Sequence, residues 1–565
     1  MVKADPRSSK SESQLAGKGS WSRSNSRTRK PLLPRTKSSQ RLIRTISVEQ
    51  KSEDASNALA DELSSSLLQL SLGSDSHEFI EVPFVKATLD ITLPMDYLKV
   101  DVLHMIQSLK IPKWCKASGK PLVTNPNELT LTMITGTMTN AIYKVERNKH
   151  TRLPSLLLRV YGPNVESIID RAYELETLAR LSFQNIGPSL FGCFNNGRFE
   201  QFLENSKTLT KDDIRDWKTA QRIARRMKEF HGGVPLLEWE KKHCIAWSRI
   251  DKWVSKMDSS EWIQNIDHLK GALLTSDWTH FKNIINKYRL WLDATGESSK
   301  PLVFCHNDTQ YGNLLFTSPV ITPTTSTPLA ASSSATSLSD SLFLTESNIS
   351  LEDIINPSVE DQKQDSKLVV IDFEYAGPNP AAYDLANFLS EWMSDYHCTD
   401  CYKTFEDKFP KREEILNFVY SYTSHLRNKQ PPVEEEVRNL YNSIIRWRPC
   451  VSLHWSLWGL IQSGKLDSKP QTSTVVEEEG PGGEKYIITL EDKEPYDSDD
   501  LTYDEDVNPN NLKEATGADI HSFDYISYAK EKISVFYGDL VQLGVIEEAD
   551  LPESTPLKKL DVKFL

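Results

Sequence analysis

The chain has 565 residues, of which 26% are charged and 38% hydrophobic, which predicts several domains or one large two-lobed enzyme, with some segments too polar to fold. It contains no apolar run of about eighteen residues or more, and its first residues lack the apolar stretch of a secretory signal, so neither a transmembrane helix nor a signal peptide is predicted. The net charge is −13 although residues 1–48 alone carry +10, and the acidic remainder argues against binding to nucleic acid.

The first segment, residues 1–75, is rich in serine, arginine and lysine and is predicted to be a disordered regulatory tail. Ser47 follows Arg44 by three residues, a spacing that suits protein kinases with a preference for basic residues. We therefore expect regulatory protein kinases to phosphorylate Ser47. The alternative is an inert, solvated tail.

Residues 76–206 are predicted to form an N-terminal nucleotide-binding lobe rich in β-strands. A helix is expected at about 165–182. The predicted strands are two around a turn within 128–146, then 155–161, 190–194 and 198–203. Antiparallel strands with one helix are typical of a lobe that clamps a nucleotide.

Residues 207–565 are predicted to form a mostly helical C-terminal catalytic lobe. Thr210 and Asp213 resemble a capping box that opens a helix running to about His231. Short strands are expected at 302–305, 313–316 and 368–371, and further helices at about 380–396, 412–426, 434–446 and 449–463. Two segments are predicted to be disordered insertions, 317–366 with much Ser, Thr and Pro and 467–519 with many acidic residues.

Two short runs of polar residues follow predicted strands and carry the chemistry. They are His306-Asn307-Asp308-Thr309-Gln310-Tyr311-Gly312-Asn313 and Val370-Ile371-Asp372-Phe373-Glu374-Tyr375. Phosphoryl transfer needs a carboxylate at the attacking hydroxyl and oxygen ligands for Mg²⁺. Asp308 is therefore the expected base, while Asn313, five residues later, and Asp372 are the expected metal ligands.

None of these residues alone indicates catalysis, because a lone His-Asn-Asp run is commonly a turn. Their order, with each run at the edge of a short apolar strand, favours catalysis instead. His306 is expected to hold the loop in place rather than to act as an acid or base. The sequence also lacks a P-loop, which excludes phosphate binding by that motif.

Together these runs resemble the choline/ethanolamine kinase family, and its fungal members most. The resemblance implies an α+β, bilobal protein-kinase-like fold, shared with aminoglycoside phosphotransferases, with a small β-rich N-lobe and a large helical C-lobe. It implies phosphorylation of choline to phosphocholine with ATP and Mg²⁺, for phosphatidylcholine synthesis, and some activity on ethanolamine. The alternatives are a primarily ethanolamine-specific kinase and a kinase-like scaffold without activity. A protein kinase is disfavoured, because the stretch after Asp372 is too short for an activation segment.

The resemblance also implies an ATP site. Arg159 stands where protein kinases place the lysine that grips phosphate, with Glu174 or Glu176 as its helix partner. Gln310 matches a family residue near ATP. The other implied ATP-binding residues are the nucleotide loop Thr135, Gly136, Thr137, Met138, Thr139 and Asn140 and the hinge Gln201, Phe202 and Leu203.

A choline cation has no N–H to donate, so aromatic faces and carboxylates are the attractions open to it. Asp384, Asn387 and Glu391 share one predicted helical face, and Glu391 is the candidate carboxylate. With Asp308, the residues that match the family's substrate pocket are Tyr375, Tyr396, Trp455, Trp458 and Tyr528. Spacing alone favours a second interpretation, in which Trp455 and Trp458 belong to a core stripe.

The remaining expectations concern location and assembly. Seven cysteines, an odd number scattered along the chain, indicate reduced thiols and a cytoplasmic protein. The resemblance makes a homodimer possible without predicting one. No stable insertion into a membrane is expected.

Overall fold

The computed structural model describes residues 65–71, 79–136, 140–148, 153–161, 170–317, 351–427, 433–466, 474–479, 485–490 and 523–565. Ser47 and the nucleotide-loop residues Thr137, Met138 and Thr139 lie outside these ranges. The predicted α+β organisation is confirmed, since a sheet-rich N-terminal part precedes a helical C-terminal part.

The N-terminal lobe is built on a seven-stranded sheet with strand order β1-β2-β6-β7-β5-β4-β3. Its strands are β1 (Ser65–Ser71), β2 (Phe79–Val85), β3 (Leu129–Gly136), β4 (Asn140–Arg147), β5 (Leu156–Tyr161), β6 (Leu190–Phe194) and β7 (Gly197–Gln201). Alternate residues of β5, Leu156, Leu158 and Val160, are buried, as expected for a strand with one face on a core. The sheet packs with α1 (Met95–Ser108), while α2 (Arg171–Phe183) follows β5.

The C-terminal lobe is a helical body that contains, in its described residues, three short pieces of sheet. Its strands are β8 (Lys207–Thr208), β9 (Leu302–Cys305), β10 (Leu314–Phe316), β11 (Leu368–Val370), β12 (Gly377–Pro380), β13 (Thr474–Glu479) and β14 (Lys485–Leu490). Its helices are α3 (Trp217–Gly233), α4 (Ile245–Asp258), α5 (Ile266–Leu273), α6 (Trp278–Ala294), α7 (Leu351–Ile355), α8 (Val359–Asp365), α9 (Ala381–Ser390), α10 (Arg412–Ser424), α11 (Glu434–Gln462) and α12 (Tyr525–Gln542). Strands β10 and β11 pair, as do β9 and β12, so the run that connects β9 to β10 and the run that connects β11 to β12 lie between the same two strand pairs.

Three predicted disordered segments contain regular structure, so those boundaries were wrong. Strand β1 lies within the predicted tail and pairs with β2. Helices α7 and α8 lie within the first insertion, where Asp365 forms a buried two-bond ion pair with Arg225 at 2.7 and 2.8 Å. Strands β13 and β14 form a hairpin within the second insertion. Amino-acid composition does not predict these elements, because the contacts that stabilise them are tertiary or come from a partner strand.

The predicted capping box exists but opens a different element. Thr210 and Asp213 exchange hydrogen bonds, with Thr210 N–H donating to Asp213 at 2.9 Å and Asp213 N–H donating to Thr210 Oγ1 at 3.2 Å. They close a single 3₁₀ turn at Asp213–Arg215. Helix α3 itself starts at Trp217, capped by the Asp216 carboxylate, which accepts from Thr219 N–H at 2.9 Å.

Helix α11 is one 29-residue helix that runs through Pro449, where two helices were predicted. A proline inside a helix removes one backbone hydrogen bond and crowds the preceding turn. The buried hydroxyl of Tyr288 is inserted here: it donates to the Arg446 carbonyl at 2.7 Å and accepts from Cys450 N–H at 3.2 Å. These two backbone groups would bond each other in an uninterrupted helix, so a distant side chain bridges the break.

Replacing Tyr288 by phenylalanine is therefore expected to lower the free energy of unfolding by about 1–3 kcal/mol, because both backbone groups lose a buried partner. Denaturant unfolding of the purified variant measures the change. Tyr97, which is 66% exposed, provides the matched control, and Tyr97→Phe is expected to change stability by less than about 0.5 kcal/mol. Equal stability of the Tyr288→Phe variant and the unmodified protein would contradict the bridging role.

Two further sequence expectations concern the membrane and the cysteines. In the described ranges, no helix is both long and apolar enough to cross a bilayer. All seven cysteines are free thiols.

Candidate active site

Hydrogen bonds to one buried carboxylate, that of Asp384 on α9, hold the loop between β9 and β10 in place. Asp384 accepts hydrogen bonds from His306 N–H at 2.9 Å, from Asn307 N–H at 2.8 Å and from the Thr309 hydroxyl at 3.4 Å. On its other side it meets His231 Nε2 at 2.9 Å. Burial alone would raise the pKa of Asp384, but the hydrogen bond and charge of His231 hold this pKa below its usual value. The carboxylate thus supports a loop in which Asn307 adopts a left-handed φ of 66°.

His306 holds the loop to the second chemical run, as the sequence indicated. Its Nε2 lies 2.9 Å from the Ile371 carbonyl, and Asp308 N–H donates to its Nδ1 at 3.3 Å. Burial lowers the pKa of His306, so the ring is neutral at pH 7. A neutral ring with both nitrogens engaged is a positioning group.

Asp308 and Asn313 are brought together at the open end of this loop. The Asn313 side-chain amide donates to both the backbone carbonyl and the carboxylate of Asp308, each at 2.9 Å. This fixes the direction of the Asp308 side chain and leaves the amide oxygen of Asn313 as a ligand for a cation. Burial, together with the nearby carboxylates Glu391, Asp372 and Glu374, raises the pKa of Asp308 well above its usual value. The site therefore gathers negative charge that a cation would stabilise.

Asp372 follows β11 with a left-handed φ of 64° and faces the N-terminal lobe. Its Oδ1 lies 3.4 Å from Nη1 of Arg159, which projects from β5. The Arg159 side chain is 8% exposed, and its Nε is buried without a hydrogen-bond partner. The two lobes are thus joined at the site by a cation and a carboxylate, both suited to holding phosphate and its metal.

Glu374 lies two residues after Asp372 in the second polar run, and no role is predicted for it from the sequence. Its Oε2 is buried without a hydrogen-bond partner. Burial and the neighbouring Asp372 carboxylate raise the pKa of Glu374 to about 8. A buried carboxylate oxygen without a hydrogen-bond partner suits a hard cation, so the oxygen-donor set Asn313, Asp372 and Glu374 fits the chemistry of Mg²⁺. The alternation Asp-x-Glu after a strand was the available signal for this third residue.

The predicted pairing of Arg159 with Glu174 or Glu176 was wrong. Glu174 is buried on α2, but its carboxylate pairs with Arg198 at 2.9 Å and with Arg171 at 2.7 Å. Arg198 lies on β7 directly opposite Arg159 on β5 and pairs with Glu174 in place of Arg159. No local spacing signals this pairing, because the two arginines become neighbours only through the pairing of β5 with β7.

The described residues of the expected ATP site lie at the ends of strands. Thr135 and Gly136 end β3, opposite Ile142 and Ala141, and Asn140 begins β4. Gln201 ends β7, where its side-chain oxygen accepts from Ser189 N–H at 3.4 Å.

The other implied ATP-binding residues make local contacts. The Lys144 ammonium lies 4.7 Å from the centre of the Phe202 ring, and the Leu203 carbonyl accepts from Ser206 at 2.7 Å. Gln310 caps its own turn by accepting from Gly312 N–H at 2.9 Å. Their approach to a nucleotide therefore stays a prediction.

Five aromatic residues and Glu391 form a cluster near Asp308. Ring centres lie 5.4 Å apart for Tyr375 and Trp455, 5.5 Å for Trp455 and Trp458, and 5.8 Å for Trp458 and Tyr528. The Trp458 indole N–H donates to the Tyr375 hydroxyl at 2.7 Å, and the Tyr396 hydroxyl donates to Glu391 at 2.7 Å. Burial is the largest cause that raises the pKa of Tyr528, and the charges of Glu391 and Asp308 raise it further. The two tryptophans therefore contact Tyr375 and Tyr528 in addition to packing on the core.

The helical face of Asp384, Asn387 and Glu391 is real, but its members have separate tasks. Asp384 holds the catalytic loop. Asn387 accepts from the Trp455 indole N–H at 2.8 Å and so fixes that ring. Only Glu391, just beyond the end of α9, joins the aromatic cluster. Shared helical spacing predicted the face, while the partners of each residue decide its role.

A sheet lobe and a helical lobe, joined where an arginine faces two carboxylates and a polar loop, define a kinase of the small-molecule type. The chain belongs to the choline/ethanolamine kinase family: the choline/ethanolamine kinase model matches residues 131–537, and the choline kinase N terminus model matches residues 74–117.

Two curated relatives from Saccharomyces cerevisiae cover most of the chain. A choline kinase is 49% identical over 96% of this chain and 97% of its own length. An ethanolamine kinase is 37% identical over 87% of this chain and 85% of its own length. Among solved structures, a choline kinase from Cryptosporidium parvum is 17% identical with a TM-score of 0.47, covering 79% of this chain and 97% of that one.

Proposed function

We propose that this protein is a choline kinase, which transfers the γ-phosphoryl group of ATP to the hydroxyl of choline to give phosphocholine. The observation that carries the proposal is the aromatic cluster beside Asp308, closed at one end by the Glu391 carboxylate. Ring faces attract a quaternary ammonium that cannot donate a hydrogen bond. The 49% identity to a choline kinase over almost the whole chain supports the same substrate.

In the proposed reaction, Asp308 accepts the proton of the choline hydroxyl as the oxygen attacks the γ-phosphorus. The new O–P bond forms while the bond from the γ-phosphorus to the ADP oxygen breaks. Asn313 keeps the Asp308 carboxylate aimed at the hydroxyl through its amide hydrogen bond. Arg159 holds phosphate oxygens from the sheet lobe. Asn313, Asp372 and Glu374 would hold Mg²⁺, which when bound would neutralise charge on the phosphates.

The second candidate is a primarily ethanolamine-directed kinase, favoured by the 37% identical ethanolamine kinase. A primary ammonium offers three donors and would depend more on Glu391 than on the rings. Competition between equal concentrations of choline and ethanolamine, with ATP and Mg²⁺, decides between the two. We expect phosphocholine to be the main product; a majority of phosphoethanolamine would assign the second function.

The metal role predicts a shift in magnesium dependence. Replacing Asp372 by asparagine is expected to raise the Mg²⁺ concentration for half-maximal activity by at least about tenfold, because one anionic ligand is lost. A magnesium titration at saturating choline measures it. Asp251, whose side chain is 59% exposed beside Arg289, is the control, and Asp251→Asn should leave the titration unchanged. An unaltered magnesium requirement in Asp372→Asn would rule out the ligand assignment.

The wider role is the one that membership of the family implies. Phosphocholine made in the cytoplasm would supply phosphatidylcholine synthesis. Phosphorylation of Ser47 by regulatory protein kinases stays a prediction.

A further inference from the structure

The carboxylate of Glu391 has a permanent cationic neighbour at the edge of the proposed choline site. Its Oε2 accepts a hydrogen bond from the Tyr396 hydroxyl at 2.7 Å. Its Oε1 lies 3.9 Å from the ammonium of Lys532, a side chain that is only 5% exposed. Both oxygens of the one carboxylate in the aromatic cluster are therefore engaged before any substrate arrives.

Lys532 projects from α12, one turn after Tyr528. Its ammonium lies 5.1 Å from the centre of the Tyr528 ring, which is itself 5.8 Å from Trp458. An acid on one side and an aromatic face on the other are the surroundings that a small primary ammonium would seek in this site. Lys532 thus occupies one such position with a primary ammonium of its own.

The charges around Lys532 leave Glu391 as its main counter-ion. The neighbouring Glu531 is paired with Lys558 at 2.8 Å. Burial lowers the pKa of Lys532, while the charge of Glu391 opposes that change. The charge of Glu391 therefore favours the charged form of Lys532 in a water-poor region.

We infer that Lys532 is a specificity-determining residue, which favours quaternary over primary ammonium substrates by neutralising Glu391. This inference rests on the proposed function. A primary ammonium gains most from donating hydrogen bonds to a free carboxylate oxygen. Because Lys532 and Tyr396 already interact with the two oxygens of Glu391, a primary ammonium substrate gains less from this carboxylate. A quaternary ammonium has no donor to lose and keeps its contacts with the rings. Specificity here is a difference between two affinities, set by a repulsive element against the wrong substrate.

The test is calorimetric titration of the full-length protein with choline and with ethanolamine. In Lys532→Met, the ratio of the ethanolamine to the choline dissociation constant is expected to fall about tenfold, since the freed carboxylate favours the primary ammonium. Lys532→Arg keeps the charge and should keep the ratio. Lys530, exposed on the same helix, is the matched control, and Lys530→Met should also keep it.

An unchanged ratio in Lys532→Met, or an equal loss of affinity for both cations, would overturn the inference and leave Lys532 a packing residue. Thermal unfolding checks the fold, and Lys532→Gln replaces the methionine variant if that one does not fold. Turnover is recorded separately with ATP and Mg²⁺. If the unmodified protein phosphorylates neither cation, the proposed function fails while the binding ratio still decides the role of Lys532. Absence of binding of both cations to the unmodified protein overturns both.

Discussion

Replacing Asp308 by alanine is expected to lower kcat for choline by about 10²–10⁴, the usual contribution of a positioned general base. The carboxylate is aimed by the Asn313 amide at 2.9 Å and lies among three other acids. Its raised pKa reflects an unfavourable charged environment, so the alanine variant should lose no stability. Steady-state kinetics and thermal unfolding, measured on the same preparation, separate the two effects.

Asp308→Asn is the matched variant, because it keeps the side-chain volume but cannot accept the proton. It should be as inactive as the alanine variant at saturating choline and ATP. Choline turnover within about threefold of the unmodified rate in either variant would remove Asp308 from the role of base.

Replacing Asp384 by alanine is expected to lower the free energy of unfolding by about 3–5 kcal/mol, because a buried charged partner of several donors is lost. The donors left behind are the backbone N–H groups of His306 and Asn307, the hydroxyl of Thr309 and the ring of His231. Activity should fall as well, since the loop that carries Asp308 loses its anchor. Chemical denaturation and choline kinetics measure the two losses.

The control for this prediction is Asp400→Ala, since Asp400 has a side chain 47% exposed beside Lys403. It should cost less than about 1 kcal/mol, as surface ion pairs usually do. An Asp384→Ala variant as stable as the Asp400→Ala variant would show that the loop is held by other contacts. The two predictions differ in kind, because Asp308 affects rate alone and Asp384 affects rate and stability together.

The parts of the site that the sequence predicted are those with local spacing. Asp308 and Asn313 lie five residues apart on one loop, so their contact follows from the short chain between them. The strands around them were found because apolar residues precede each polar run. The family resemblance added the aromatic residues, which the structure brings together from α11, α12, the loop after β11 and the segment that follows α9.

The parts that the sequence did not predict depend on tertiary neighbours. Arg198 captures Glu174 because β5 and β7 pair, and no spacing rule links Glu174 to that strand. In the sequence, Lys532 is indistinguishable from other lysines of a helix. Only the packing of α12 places it beside Glu391. Helix α11 continues through Pro449 because Tyr288, from α6, bridges the broken backbone bond. Local propensity rules cannot anticipate such compensation.

The most direct test of the central claim is ³¹P NMR of the purified protein incubated with ATP, Mg²⁺ and choline, alongside Asp308→Asn. We expect a phosphocholine resonance that grows as ATP is consumed, and none above background with the variant. Equal phosphocholine formation by both proteins, or ATP consumed without phosphocholine by the unmodified one, would contradict it.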